Sequence, residues 1–245
     1  MIRVLVWNEY KHEQTKEKVA AIYPNGMHSA IKDFLDKDGE FEVKTATLFN
    51  NNKEVDESCG LTDELLAETD VLLWWGHTAH DLVPDEVAEK VQKAVLSGMG
   101  FIALHSAHHS KPFKRLMGTT CNLSWREDGD TERVWVVKPS HPIAQGIDRY
   151  FELNGVETYA EPFDIPEPDE LVFGGWYSGG EIFRSGCTFK RGNGKIFYFQ
   201  PGHETFPIFY DNNVQTVIKN AIRWAKPVIR QEIDCPHIKK IGTEE

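Results

Sequence analysis

The feature that most limits the fold of this chain is a short apolar run, Phe101 to Leu104, enclosed by turn-forming residues. Apolar runs of this length are typical of strands buried on both faces of a parallel sheet. The polar segment that follows contains the small pair Ser106-Ala107, which allows a sharp turn. Such a turn would hold His105 or Ser106 above the carboxyl edge of the sheet, where open α/β folds bind ligands. An ordinary solvent-exposed junction between a strand and a loop would explain the same residues.

Strand and helix patterns alternate over the first hundred residues. The predicted strands are Ile2–Trp7, Phe41–Thr47, Val71–Trp75 and Phe101–Leu104, and the predicted helices lie between them at Pro24–Asp38, Thr62–Glu68 and Pro84–Ser97. This order predicts an α/β, three-layer sandwich with a mostly parallel central sheet. Right-handed crossovers would then bring the carboxyl ends of these strands to one edge.

The second half of the chain is less regular. Its predicted strands are Val134–Val137, Leu171–Phe173, Ile182–Phe189 and Ile196–Phe199, and a last helix runs from Asn212 to the proline at 227. Residues 228–245 show neither a helical nor a strand period. Because no internal repeat or domain boundary is visible, we expect a single domain over 1–227 followed by a C-terminal tail, 228–245.

Charge and cysteine content narrow the class of protein. Lys and Arg number 27 against 38 Asp and Glu, a net charge of −11, which argues against binding to nucleic acid or to an anionic membrane surface. There is no apolar run of 18 residues, so no membrane-spanning helix is expected. The four cysteines are scattered without a C-x-x-C pair. This pattern is typical of reduced thiols, and we expect a cytoplasmic protein.

Histidines follow three of the predicted strands, and a Glu and a His follow a fourth. If these strands are parallel neighbours, their histidines meet at one edge of the sheet, where this fold class places chemistry. The residues we expect to be catalytic are His105, His203, Glu204, Glu9 and Ser106. His12 and His28, taken individually, are expected at the protein surface.

Two chemistries fit this set of histidines. In one, imidazoles spaced like His105 and His108 share a divalent metal such as zinc, with Glu9, Asp81 or Glu204 as an oxygen ligand. His105 and His203 are the residues we predict as ligands in this case. In the other, His203 is a general acid or base oriented by a neighbouring carboxylate, and no metal takes part. The sequence leaves both open.

Aromatic and polar residues near the same edge suggest a ligand of carbohydrate size. Trp rings can cover the apolar face of a pyranose while charged groups bind its hydroxyls. Trp74 and Trp224 are expected in the core, whereas Trp125 lies in a predicted loop. The predicted substrate-binding residues are Trp75, His77, His80, Asp81, Trp125 and Arg126.

Several ordered segments together resemble the trehalose-utilisation, or ThuA-like, family. They are W-W-G-H-T-A-H-D at 74–81, L-H-S-A-H at 104–108, L-M-G-T-T-C-N-L-S-W-R-E at 116–127, P-S-H-P-I at 139–143, E-P-F-D-I-P at 161–166, F-R-S-G-C-T-F at 183–189 and Q-P-G-H-E-T at 200–205. The resemblance extends from about residue 2 to 227. It implies the class I glutamine amidotransferase-like fold, a flavodoxin-like α/β sandwich.

The resemblance also bears on the site. The amidotransferases carry a nucleophilic cysteine on the turn after a central strand, and a distant His and Glu complete the triad. Here that turn contains His105 and Ser106 and no cysteine, whereas His203-Glu204 stands where the His and Glu are expected. Glutaminase activity is therefore not expected, because thiolate attack requires a cysteine beside its base. Ser106 remains as a substitute nucleophile.

The association of this family with sugar use implies an acid/base enzyme, with or without a metal, acting on trehalose-type disaccharides or their 3-keto derivatives. A sugar dehydrogenase would be its functional partner. The alternative is a non-catalytic sugar-binding or regulatory protein that kept the fold without the nucleophile. Exposed aromatic loops and the tail also suggest a homo-oligomer.

Overall fold

A computed structural model describes residues 1–240 and 242. Nine strands form one sheet: β1 Ile2–Asn8, β2 Phe41–Thr47, β3 Val71–Trp75, β4 Gly100–Leu104, β5 Ser124–Val136, β6 Tyr150–Ala160, β7 Glu170–Tyr177, β8 Ile182–Arg191 and β9 Gly194–Phe199. Their order across the sheet is β2-β1-β3-β4-β9-β8-β7-β5-β6. The helices are α1 His12–Thr15, α2 Glu17–Ile22, α3 Met27–Asp36, α4 Asp63–Glu68, α5 Asp85–Leu96, α6 Lys111–Met117 and α7 Asn212–Ala225.

Five of these strands form the parallel part of the sheet. β1 pairs in parallel with β2 and β3, β3 with β4, and β4 with β9. β3 and β4 are buried along their whole length, because helices cover both faces and leave no strand position facing water. The predicted strands and their common direction are confirmed in this part. All five carboxyl ends lie at one edge.

The prediction of a mostly parallel sheet is wrong for the rest of it. The pairs β9–β8, β8–β7, β7–β5 and β5–β6 are all antiparallel, so the sheet is mixed. β6 was not predicted at all, and β5 is longer than the segment Val134–Val137 suggested. β5 is partly solvent-exposed and rich in charged residues, so its apolar content is too low to mark its whole length as a strand. In β6 the pair Asn154-Gly155, a turn signal, interrupts the strand pattern.

The helices pack in two groups. α3 and α7 contact each other and strands of the parallel part, and α5 contacts α4, α6 and β9. Each longer helix turns an apolar stripe to the sheet, as in α7, where Val214, Val217, Ile218, Ala221 and Ile222 are buried. Asp211 begins α7 by accepting hydrogen bonds from the backbone N–H groups of residues 213 and 214. The helix itself begins at Asn212, as the sequence pattern predicted, and its cap is the residue before it.

Residues 226–240, which follow α7, contain no helix or strand, but the start of this segment is attached to the domain. The Gln231 N–H donates to the Ser97 carbonyl over 2.8 Å, and Arg230 donates to the carbonyls of Leu66, Ala67 and Thr69 at the end of α4. The predicted tail, 228–245, falls partly on residues 241 and 243–245, which lie outside the described residues. No helix among the described residues is both long and apolar enough to cross a membrane.

Candidate active site

A pocket of about 230 Å³ opens at the carboxyl ends of the parallel strands. Side chains from four segments line it, so no stretch of sequence contains the site by itself. Most of its lining is polar or aromatic, and four of the nine lining residues are histidines. The lining residues are His77, His80, Ser106, His108, His109, Leu123, Trp125, Glu157 and Tyr159.

His105 stands on the sharp turn after β4. Its φ of 54° lies in the left-handed region, which residues other than glycine rarely adopt. The His105 ring is fully buried, stacks on Tyr159, and donates its Nδ1–H to the Gln200 carbonyl over 2.8 Å. A Cβ at Gly202, whose φ is 151°, would come within 3.1 Å of the His105 Cβ. Glycine at 202 thus lets the segment after β9 pass close to this turn.

Glu157 is the acidic residue among the nine that line the pocket. It comes from β6, and its Oε2 is 2.9 Å from His105 Nε2 and 3.9 Å from His203 Nε2. Burial alone would raise the pKa of this carboxyl, but the contact with His105 outweighs burial and lowers it. Glu157 therefore stays ionised at neutral pH although only 4% of it is exposed.

A second buried carboxylate, Glu204, supports the histidines on the other side. His12 Nδ1 donates to its Oε1 over 2.5 Å, and His77 Nδ1 lies 3.1 Å from it. Burial opposes ionisation, yet these two contacts lower the pKa of Glu204 well below its usual range. Burial likewise lowers the pKa of His77, but the bond to Glu204 prevails and raises it. His77 therefore binds a proton more readily than an ordinary histidine.

Glu9 fixes the loop that carries His77. Its carboxylate accepts the backbone N–H groups of His77, Thr78 and Ala79 at 2.8 to 3.0 Å, and the Thr78 hydroxyl at 3.1 Å. These bonds occupy the carboxylate oxygens, and Glu9 is buried. The contacts give Glu9 a positioning role in the site.

The opposite wall of the pocket carries neutral imidazoles. Burial lowers the pKa of His80 to about 4 and that of His108 well below its usual value. His108 donates its Nδ1–H to the Cys121 carbonyl over 2.7 Å. A neutral imidazole has only one N–H, so His108 Nε2 keeps a lone pair. Burial also lowers the pKa of His203, to about 3.

Two groups of side chains bring three potential metal-ligand atoms within 4.8 Å of one another. One is His12, His77 and Glu204, whose members already bond to each other. The other is His77, Glu157 and His203. His203, which we predicted as a ligand, belongs to the second group. His105 belongs to neither.

The structure brings the predicted catalytic residues together at one edge, but at different depths. Ser106 lines the pocket and donates its hydroxyl to the Gly76 carbonyl over 2.8 Å. His105, His203, Glu204 and Glu9 are buried just behind the lining. A centroid distance of 5.3 Å separates the rings of His105 and His203, so the predicted convergence of separate segments is present.

The predicted substrate-binding residues divide into two sets. His77, His80 and Trp125 line the pocket, and Trp125 is 66% exposed at its rim. Trp75 is buried and donates its indole N–H to the Gly202 carbonyl. Asp81 is solvent-exposed outside the lining, and Arg126 is bound to Glu181 over 2.9 Å.

Sequence reasoning missed Glu157, Tyr159 and the role of His12. Glu157 and Tyr159 lie on β6, an unpredicted strand, so nothing placed them near the histidines.

The expectation that His12 and His28 are surface residues is wrong. Both are buried, because α1 and α3 turn them inward to Glu204 and Asn8 respectively. The position of His12 shortly after β1 was the signal that could have identified it.

Fold and site together define a mixed α/β protein whose fold is similar to that of glutamine amidotransferases, with His105 on the sharp turn after β4. A glutamine amidotransferase from Thermotoga maritima superposes with a TM-score of 0.51 at 10% identity, over 90% of this chain and 98% of that one. Among the described residues all four cysteines are free thiols, and none lies on that turn.

The family model described as "ThuA: Trehalose utilisation" matches residues 3–225, and the chain belongs to this family. A protein from Parabacteroides merdae described as ThuA-like superposes with a TM-score of 0.69 at 16% identity, covering 97% of both chains. A protein from Salmonella typhimurium described as cytoplasmic gives 0.62 at 12% identity, over 92% of this chain and 100% of that one. A search among curated proteins finds no match.

Proposed function

We propose that this protein is an acid/base enzyme acting on trehalose-type disaccharides in their 3-keto form. The observation that supports this most is a pair of imidazoles in one pocket with pKa values shifted in opposite directions. The pKa of His77 is raised and that of His108 is lowered. Imidazoles whose environments move their pKa values apart support the assignment of one as the acid and the other as the base.

The proposed step is enolisation of the keto sugar. His108 Nε2 takes the proton from the carbon next to the carbonyl, and the C–H electron pair forms the enol double bond. The carbonyl oxygen takes a proton from His77. Glu204 and Glu9 hold His77 in place, through its ring and its backbone respectively. Elimination, hydrolysis or isomerisation of the sugar could each begin with this step.

The pocket shape supports a sugar ligand. It has room for about one sugar ring, with Trp125 exposed at its rim to cover the apolar face of a second. The family description refers to trehalose utilisation. We place the protein in the cytoplasm, downstream of a sugar dehydrogenase that would supply the keto group. The proposal includes that the protein works as a homo-oligomer.

The first test follows the proton directly. The full chain is incubated with 3-keto-trehalose in D₂O, and deuterium incorporation next to the carbonyl is measured by NMR and mass spectrometry. We expect incorporation with the wild type and a loss of roughly a hundredfold or more in its rate with His108→Gln, because the proton acceptor is removed.

The control is Glu152→Gln, which alters an exposed residue of β6 paired with Arg133, outside the pocket. Its rate should equal that of the wild type. If the wild type binds 3-keto-trehalose yet leaves it undeuterated and intact, the acid/base proposal fails. That outcome favours the non-catalytic sugar-binding protein.

A further inference from the structure

We infer that the residues His77, Glu157 and His203 form a binding site for one divalent transition-metal ion, with zinc as the best match. The inference deepens the proposed function and rests on it: a bound cation would polarise the carbonyl oxygen of the substrate in place of the proton from His77, whose ring would then be a ligand. Two imidazoles and one carboxylate are the ligand set of catalytic zinc sites that keep a position open. The three residues come from three separate segments, after β3, in β6 and after β9.

The first argument is that ligand atoms in this group lack partners. Glu157 Oε2 and His203 Nε2 are both buried without a hydrogen bond, and they lie 3.9 Å apart. Glu157 Oε2 also lies 2.9 Å from His105 Nε2, a close polar contact, although it accepts no hydrogen bond. Buried polar atoms are rarely left unpaired, because each then loses its hydrogen bonds to water without a replacement. A cation between them satisfies both.

The second argument is that neighbouring bonds hold the imidazole rings in place. His203 Nδ1 bonds to the Thr205 hydroxyl over 2.8 Å and accepts the Thr205 backbone N–H over 3.3 Å, so Nε2 is the ring nitrogen that faces the group. His77 Nδ1 bonds to Glu204, leaving Nε2 as its other ring nitrogen. Histidine ligands of metals are commonly held by a second polar group in this way.

The third argument concerns charge. Glu157 and Glu204 are both buried, and His203 Nε2 lies within 4 Å of an oxygen of each. Lys16, half exposed, is 3.6 Å from Glu204. Two buried carboxylates this close together favour a divalent cation between them. The Oε2 atom of Glu204, also without a hydrogen bond, lies 3.5 Å from His203 Nε2 at the edge of the same group.

Of the two ligands predicted from the sequence, His105 and His203, the inferred site contains His203 and does not contain His105. The His105 ring is stacked on Tyr159, and its Nδ1 is committed to the Gln200 carbonyl. It lies behind Glu157 as a positioning residue. The other three-residue group, around His12, shares His77 but is closed by its own hydrogen bonds.

The test measures metal binding without using turnover. The full chain is stripped with a chelator, and binding of Zn²⁺ is followed by calorimetry and elemental analysis; Co²⁺ is used as a spectroscopic probe of the ligands. We expect about one ion per chain, and an affinity loss of roughly a hundredfold or more in His203→Ala and in Glu157→Gln. The matched control is His109→Ala, which removes a histidine of the same pocket that bonds to Asn122 and belongs to neither group.

Circular dichroism and thermal melting of each metal-free variant show that it is folded. The proposal is overturned if the folded wild type binds no ion, or if His203→Ala binds Zn²⁺ and Co²⁺ as the wild type does. Metal binding without deuterium exchange into the keto sugar would overturn the proposed function alone. Deuterium exchange by the stripped protein at the full rate would overturn only the use of the metal.

Discussion

At the scale of single residues, burial decides which side chains carry charge. Glu132 of β5 is completely buried, and burial raises its pKa to about 7 although Ser185 donates to its Oε1 over 2.7 Å. Close to it, a Cβ at Gly175 would lie only 2.5 Å from Glu132 Oε1, so glycine leaves room for the carboxyl. At neutral pH this group is partly protonated, unlike Glu157.

This shift predicts a pH-dependent stability. Between about pH 4.5 and 7 the unfolded chain loses the Glu132 proton first, so the free energy of unfolding falls as pH rises through this window. Glu132→Gln removes that dependence. Between the low and the high end of this pH window, the free energy of unfolding of the variant should rise relative to that of the wild type by up to about 3 kcal/mol. Urea unfolding at about pH 4.5 and pH 8 measures it. Parallel pH profiles for wild type and variant would contradict the assignment.

At the scale of elements, the loop after β3 depends on one carboxylate from β1. Glu9 accepts three consecutive backbone N–H groups, at residues 77 to 79, which have no helix or strand to satisfy them. β1 and β3 are hydrogen-bonded neighbours, so the end of one strand lies directly beside the end of the other. Strand pairing thus determines where His77 stands.

We therefore expect Glu9→Gln to lower the free energy of unfolding by about 2–3 kcal/mol. The NH₂ group of glutamine is a hydrogen-bond donor, so it cannot accept a hydrogen bond from the backbone N–H groups of this loop. Thr78→Ala, which removes the hydroxyl bond to Glu9 and the 3.4 Å contact of that hydroxyl with His12 Nε2, should cost about 1 kcal/mol. Glu42→Gln, at an exposed position on β2, is the control. Equal stability of Glu9→Gln and Glu42→Gln in urea would show that the loop does not need this anchor.

At the scale of the whole molecule, the segment after α7 joins parts that are distant in sequence. Arg230 donates to three carbonyls near the end of α4, and residues 229–231 pass close to the end of α5. A Cβ at Gly98, whose φ is 125°, would lie 2.0 Å from the Ile229 carbonyl oxygen. Glycine at 98 is thus required for this contact.

Removal of residues 228–245 should lower stability by about 1–3 kcal/mol, because the α4 carbonyls lose charged hydrogen-bond donors. Removal of 236–245 alone keeps Arg230 and Gln231 and should have a clearly smaller effect. Urea unfolding midpoints of the two truncated chains give the comparison. If both truncations have the same effect, the contacts of Arg230 are not what stabilises this end.

Sequence patterns predicted much of the parallel half of the molecule. Runs such as Val71–Trp75 are continuous and apolar because both faces of such strands are covered, so the pattern is strong and local. Since strands in this arrangement point the same way, the histidines after them could be placed at one edge. This reasoning predicts the turn at His105 and the approach of His203 to it. It also shows that no cysteine stands on that turn.

The antiparallel half, and with it Glu157, was decided only by the tertiary structure. β5 and β6 have polar, half-exposed surfaces, and their pairing over a long stretch depends on partners that no local pattern reveals. The sequence alone therefore determined which residue types gather at the strand ends. Only the folded sheet decided which carboxylate meets them, because a hydrogen-bonded register between distant segments, rather than spacing along the chain, brings Glu157 beside His105 and His203.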